Sequence, residues 1–124
     1  MNASPDPKDP WPTEINARDE GRSLHVSFDN GESYDLTAEL LRVESPSAEV
    51  QGHSPEQKRT VTGKKNVRIK AMQPAGNYAV MIKFDDGHDT GLFSWEYLYE
   101  MGTHQEALWQ AYLDRLAEEG LSRD

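Results

Sequence analysis

The chain contains no cysteine. Disulfides, thiolate metal ligands, iron–sulfur ligation through sulfur and a cysteine nucleophile are therefore all excluded. No apolar run approaches the roughly 20 residues needed to span a bilayer, so no membrane partner is expected. The N-terminal MNASPDPKDPWP has neither the basic region nor the apolar stretch of a signal peptide, and the expected location is cytoplasmic. Basic residues are scarce, with 13 Lys and Arg against 22 Asp and Glu and a net charge of −9. That balance opposes binding to phosphate backbones, so no nucleic-acid partner is expected. The basic cluster Lys58, Arg59, Lys64 and Lys65 is the exception: either a solvated charge run or a patch for an anionic ligand. Catalytic signatures are missing too. There is no G-x-S-x-G elbow, Walker loop, dinucleotide fingerprint or H-E-x-x-H pair. Nor does any H-x-D facial triad appear, and the scattered Ser, His and Asp residues have no spacing that suggests a hydrolytic triad.

What is present is organised around Tyr78–Met101, YAVMIKFDDGHDTGLFSWEYLYEM. Tyr78, Val80, Ile82 and Phe84 alternate with Met81 and Lys83, the two-residue period of a half-buried strand. Asp85-Asp86-Gly87 then signals a hairpin turn. Leu92 and Phe93 resume the apolar run, and Ser94 is placed to cap a helix over about 94–101. An earlier stretch repeats this order. Leu24, Val26 and Phe28 alternate, Asp29-Asn30-Gly31 turns, Glu32–Leu36 returns, and Thr37 caps a short helix to about residue 42. The two FDxG turns lie 56 residues apart. One hairpin with one helix is too small to be stable alone, so the two copies are expected to share a core built from Val26, Phe28, Val80, Ile82 and Phe84.

At 124 residues the chain is read as one domain. Residues 1–12, with four prolines among polar residues, form an expected disordered arm. Residues 13–102 form the body, which opens with a short edge strand at Ile15 and Ala17. A loop over about 51–65 is expected to be mobile. Asn66–Met72 reads as another strand with Val67, Ile69 and Ala71 facing one way, and Pro74–Asn77 as a turn. Residues 103–124 form a C-terminal helix and tail. Thr103 with Glu106 suggests a capping box there, and Leu108, Ala111, Tyr112 and Leu116 supply an apolar stripe. The expected class is α+β: one system of small antiparallel sheets from two β-hairpin-plus-helix units, plus a C-terminal helix.

His88 is the main candidate for chemistry, since it follows the second turn beside Asp85, Asp86 and Asp89. Such a group could bind a divalent metal, with His88, Asp86 and Asp89 as ligands. It could instead merely raise the pKa of the histidine. Turn chemistry explains the aspartates without either role. Loop residue His53 is a further possible neighbour. Trp95, Tyr97 and Tyr99 read as core and surface aromatics of a short helix, with ligand stacking the lesser reading.

Phe84–Leu98, FDDGHDTGLFSWEYL, and Ser27–Val50, SFDNGESYDLTAELLRVESPSAEV, in this order, resemble the DUF971 family, the gamma-butyrobetaine hydroxylase-like N-terminal domain. The resemblance covers about residues 13–102. In the hydroxylases of that family a similar domain precedes the iron- and 2-oxoglutarate-dependent catalytic domain. Related domains follow P-loop iron–sulfur carriers. The hydroxylase domain carries a structural zinc held by three cysteines and a histidine. The resemblance places the cysteine positions at Ser45, Ser47 and Val50 and the histidine at His88. It therefore implies that three of four zinc ligands are replaced and that no dioxygenase domain is present, so no hydroxylase activity and no cofactor are expected, although family members bind zinc or iron. The expected function is a non-catalytic accessory or interaction module with an unknown protein partner, linked to iron–sulfur or metabolic enzymes. The alternative is a small iron- or zinc-binding protein using His88 and the neighbouring aspartates.

Overall fold

The computed structural model describes residues 10–124, which form six strands and four α-helices. Strands β1 (Pro12–Arg18), β2 (Ser23–Phe28) and β3 (Ser33–Thr37) make one antiparallel sheet in that order. Helices α1 (Ala38–Val43) and α2 (Ala48–Gln51) follow. Strands β4 (Ile69–Ala75), β5 (Ala79–Phe84) and β6 (Gly91–Ser94) make a second sheet of the same order. Helices α3 (Trp95–Thr103) and α4 (Gln105–Glu118) complete the α+β fold.

The repeat extends to individual hydrogen bonds. Phe28 N donates to Glu32 O (2.8 Å) as Phe84 N does to His88 O (2.9 Å). Glu32 N donates to the Asn30 side chain and His88 N to that of Asp86, each at 3.0 Å. Gly31 and Gly87 take φ of 90° and 92°, a region open to glycine and strained for other residues. The outer strands belong to the repeat as well: Asp29 N donates to Trp11 O and Asp85 N to Arg68 O, at 2.8 and 2.9 Å. Thr37 and Ser94 each accept from the amide three residues on, capping α1 and α3. His88 thus occupies the turn position that Glu32 occupies in the first copy.

One core serves both copies. Leu24, Val26, Phe28, Val80, Ile82, Phe84 and Leu98 pack in a single buried cluster with Tyr112 and Leu116 of α4. Each such side chain contributes roughly 1.5–3 kcal/mol by leaving water. The hairpins do not share one hydrogen-bonded sheet, however. Each is completed by its own outer strand, and the halves meet where Gly21 packs on the backbone of Ile69 with no room for a Cβ.

Four local expectations are corrected. Tyr78 is 55% exposed, because β5 begins at Ala79 and the Tyr78 ring leans over Gly76 in the turn. Ala71 is exposed while Val67 and Ile69 are buried, because a bulge between Ile69 and Ala71 reverses the alternation and turns Met72 toward the core. Pro74 and Ala75 belong to β4, not to the turn. The Thr103–Glu106 box does not form: α3 runs through Thr103, whose hydroxyl donates to Glu100 O, and His104 caps α4 without a side-chain bond. Of the expected N-terminal arm, residues 1–9 lie outside the described residues. Pro10 is buried, Trp11 is hydrogen-bonded to Asp29, and Pro12 opens β1.

Candidate functional site

The segment after α1 folds back onto the second hairpin. Ser45, Ser47, Val50 and His88 are 0%, 7%, 2% and 5% exposed, so all four positions named by the resemblance are buried. Ser45 Oγ lies 2.9 Å from His88 Nε2 and accepts from Ser47 N at 3.3 Å. Ser47 Oγ caps α2 and meets Thr90 Oγ1 at 2.8 Å. The side chain of Gln51 donates to Ser45 O at 2.9 Å. Gly91 faces this contact, and a Cβ there would stand 2.5 Å from Ser45 Oγ.

His88 Nδ1 lies 3.3 Å from Glu49 Oε1, too poorly aligned for a hydrogen bond, and has no other partner. A carboxylate only accepts, so the neutral ring that suits both neighbours carries its proton on Nδ1, and Ser45 Oγ–H donates to Nε2. Burial and the Arg42 guanidinium lower the His88 pKa from 6.5, outweighing Glu49 and Asp86. Asp86 does raise it, as the sequence allowed, but the net shift is downward because desolvation disfavours the imidazolium. Serine, histidine and carboxylate lie in the order of a hydrolytic triad, but the histidine–carboxylate hydrogen bond is not made. Ser45 has no exposed surface, however, so no substrate carbonyl reaches its oxygen in this conformation.

The acidic residues around the turn part company. Asp86 accepts from Arg42 Nε (2.8 Å) and meets Lys64 Nζ (2.5 Å). Burial alone would raise its pKa, but hydrogen bonds from Lys64, the His88 backbone and Arg42 bring it down to about 2. Asp85 accepts from Arg68 N, Asp89 is exposed, and His53 is exposed in its loop, where its backbone N bonds Gln57. The basic cluster is likewise dispersed. Lys58 reaches Glu44 (2.6 Å), Lys64 goes to Asp86 and Lys65 lies 3.7 Å from Asp124. Arg59 joins Arg42 and Lys64 along a hollow of about 300 Å³.

A zinc ion does not fit this donor set. Val50 offers only an isopropyl group, the two serines hydroxyls bound to each other's surroundings, and the His88 Nε2 lone pair is held by Ser45. Among the described residues, no three of His, Asp and Glu converge as a metal group.

Sequence reasoning missed the ion pairs that fasten this segment. Glu44, 3% exposed, takes Lys58 on one oxygen and Arg115 of α4 on the other, at 2.6 and 3.2 Å. Its carbonyl accepts from Tyr97 OH at 2.5 Å. Burial and the Glu44 carboxylate push that phenol above the usual tyrosine range. Glu39, 6% exposed, is held by a two-point contact with Arg123. No local pattern marks these pairs, whose members lie 14 to 84 residues apart.

Residues 15–99 match the family model described as gamma-butyrobetaine hydroxylase-like, N-terminal. The chain belongs to that family. What is matched is the N-terminal domain, not a catalytic domain. Among solved structures, the family member described here is similar to two proteins known by NMR. One is 49% identical with a TM-score of 0.81, over 98% of this chain and 91% of that chain. The other is 48% identical with a TM-score of 0.79, over 93% and 90%. A crystal structure of a DUF971-family protein of unknown function from Acidithiobacillus ferrooxidans is 39% identical, with a TM-score of 0.65, over 79% of this chain and 98% of that one. No curated protein matches. Among the described residues, no helix of this DUF971 member is long and apolar enough to cross a membrane.

Proposed function

We propose that this DUF971 protein is a non-catalytic interaction module that acts on a protein partner in the cytoplasm, with iron–sulfur or metabolic enzymes as the partner classes. The observation that carries this reading is the closure of residues 45–50 on the second hairpin. Hydroxyl bonds from Ser45 and Ser47, burial of Val50 and the clamp on Glu44 hold it together. Both serine hydroxyls and the His88 Nε2 are spent on one another and on Thr90, which suits a scaffold that presents its outer surface.

The observation favouring the metal-binding alternative is His88 Nδ1, buried without a hydrogen bond beside Glu49. That pair supplies two donors, and Asp86 is neutralised by two cations. Two experiments decide. Affinity capture from native lysate should recover a stoichiometric protein partner. Titration with Fe(II) or Zn(II) should give the same curve for wild type and His88→Ala. Stoichiometric metal binding that His88→Ala abolishes would replace this reading with the alternative.

A further inference from the structure

Helix α3, Tyr78 before β5 and the Pro10–Trp11 segment before β1 frame an open groove of about 530 Å³. Trp11, Tyr78, Trp95 and Tyr99 line it, together with Glu96 and Glu100. Trp95 and Tyr99 stand four residues apart on α3, and Glu96 and Glu100 repeat that spacing one residue on. The helix therefore presents an aromatic row beside an acidic row, each stepping about 6 Å. Both carboxylates belong to exposed residues, and neither carries an ion pair among the described residues.

Trp95 and Tyr99 are anchored by their polar ends and half-buried against the core, so the part of each that lines the groove is held in place. Trp95 Nε1 donates to Asn77 O at 2.8 Å. Tyr99 OH reaches both Glu32 oxygens at 3.1 and 3.2 Å, and its ring makes a T-shaped contact with Phe28, with centroids 5.1 Å apart. Trp11 is pinned through its backbone to Asp29 in both directions. Tyr78, by contrast, is the most exposed large apolar side chain in the fold. Apolar area held rigid and in contact with water loses little entropy when covered.

We propose that this groove binds a basic, proline-containing peptide segment of a partner protein in the polyproline II conformation. The inference rests on the reading of the chain as an interaction module and names where and what it binds. Three features select this occupant. First, aromatic faces accept proline rings and guanidinium groups alike. Second, the acidic row and the net charge of −9 attract cations. The same charges repel phosphate backbones and a second copy of this acidic face. Third, the backbone carbonyls that Asn77 and Tyr78 bring to the groove are already taken, by the Trp95 side chain and by Trp95 N, and so do not serve an added β-strand. Polyproline II needs no ladder, since its backbone stays solvated.

The test is an NMR titration of the full chain with a synthetic peptide of three Pro-Pro-Arg repeats, and with a control in which glutamate replaces each arginine. Saturable shifts at the Trp11 and Trp95 indoles and at Tyr78 are expected with the basic peptide alone. The double variant Glu96→Lys/Glu100→Lys should keep its melting temperature and lose affinity by about tenfold or more. Tyr78→Ala should weaken binding with the charges intact. Absence of saturable binding, equal binding of the glutamate peptide, or an unchanged affinity in the charge-reversal variant would overturn the proposal. If the lysate partner is captured equally by wild type and the double variant, the groove is overturned and the module reading stands. If no partner is captured at all, the module reading itself fails.

Discussion

Ser45 Oγ and His88 Nε2, 43 residues apart in the chain, meet at 2.9 Å in a contact sealed from solvent. With the ring neutral, Ser45 Oγ–H donates to Nε2; protonation reverses the direction of that bond and places a charged ring in a buried site. His88 has a lowered folded pKa, so below 6.5 the unfolded chain takes up the proton first. Stability contributed by the neutral ring is therefore complete above about 6.5 and lost as the pH falls toward the folded value. Denaturant melts between pH 7 and pH 5 should show wild type losing stability on acidification, with a flatter profile for His88→Gln. Asp86 adds a separate loss at lower pH, between its ordinary 3.8 and about 2, as Arg42 and Lys64 lose their partner.

Closure of this segment should be independent of divalent metal. EDTA is expected to leave the melting temperature unchanged. Val50→Asp should cost more than His88→Ala, because it gives up about 2 kcal/mol of apolar burial and adds a desolvated carboxylate worth several more. His88→Ala removes one buried ring and one hydrogen bond, on the order of 2 kcal/mol. Urea denaturation of the two variants gives the ranking directly, and the reverse order would contradict a closure made by packing.

Glu44→Gln tests the clamp between the loop, α3 and α4. It leaves Lys58 and Arg115 without a counter-charge beside a buried amide, at an expected cost of about 2–3 kcal/mol. That is at or just below the roughly 3–5 kcal/mol of a broken buried pair, since both cations are partly solvated and can turn to water. The same urea titrations measure it.

The order of Ser45, His88 and Glu49 invites a direct check of chemical competence. A fluorophosphonate ester reacts with serines activated by a histidine, provided that it reaches them. Ser45 should remain unmodified in the folded protein, as judged by intact-mass spectrometry. Stoichiometric labelling lost in Ser45→Ala would reveal an open state in which the triad-like arrangement works.

Both hairpins, their caps and the shared core were legible in the sequence because each is written locally. Alternation in Leu24–Phe28 and Val80–Phe84, the two FDxG turns, and the hydroxyls of Thr37 and Ser94 all act within a few residues of themselves. The bulge after Ile69 was not legible, as one extra residue in a strand leaves the composition unchanged while reversing every side chain beyond it. The resemblance identified Ser45, Ser47, Val50 and His88 as neighbours, yet it did not indicate that Glu49 would face the ring or that burial would outweigh the acids around it. Glu39–Arg123 and Arg42–Asp86 were invisible for a simpler reason. Charged residues at 28% of the chain allow many pairings, and only the folded path selects among them.

Each sheet ends on an outer strand that carries a proline and a bulge: Pro12 and the Pro12/Glu14 shift in β1, Pro74 and the Ile69/Ala71 shift in β4. Proline withholds an amide from any incoming strand, and a bulge twists the edge away from a flat template. The bulges stand at equivalent places in the two copies, whereas the prolines do not, Pro12 lying opposite Phe28 and Pro74 opposite Val80. At these two edges a partner protein is therefore discouraged from adding a strand, and association there is left to side chains.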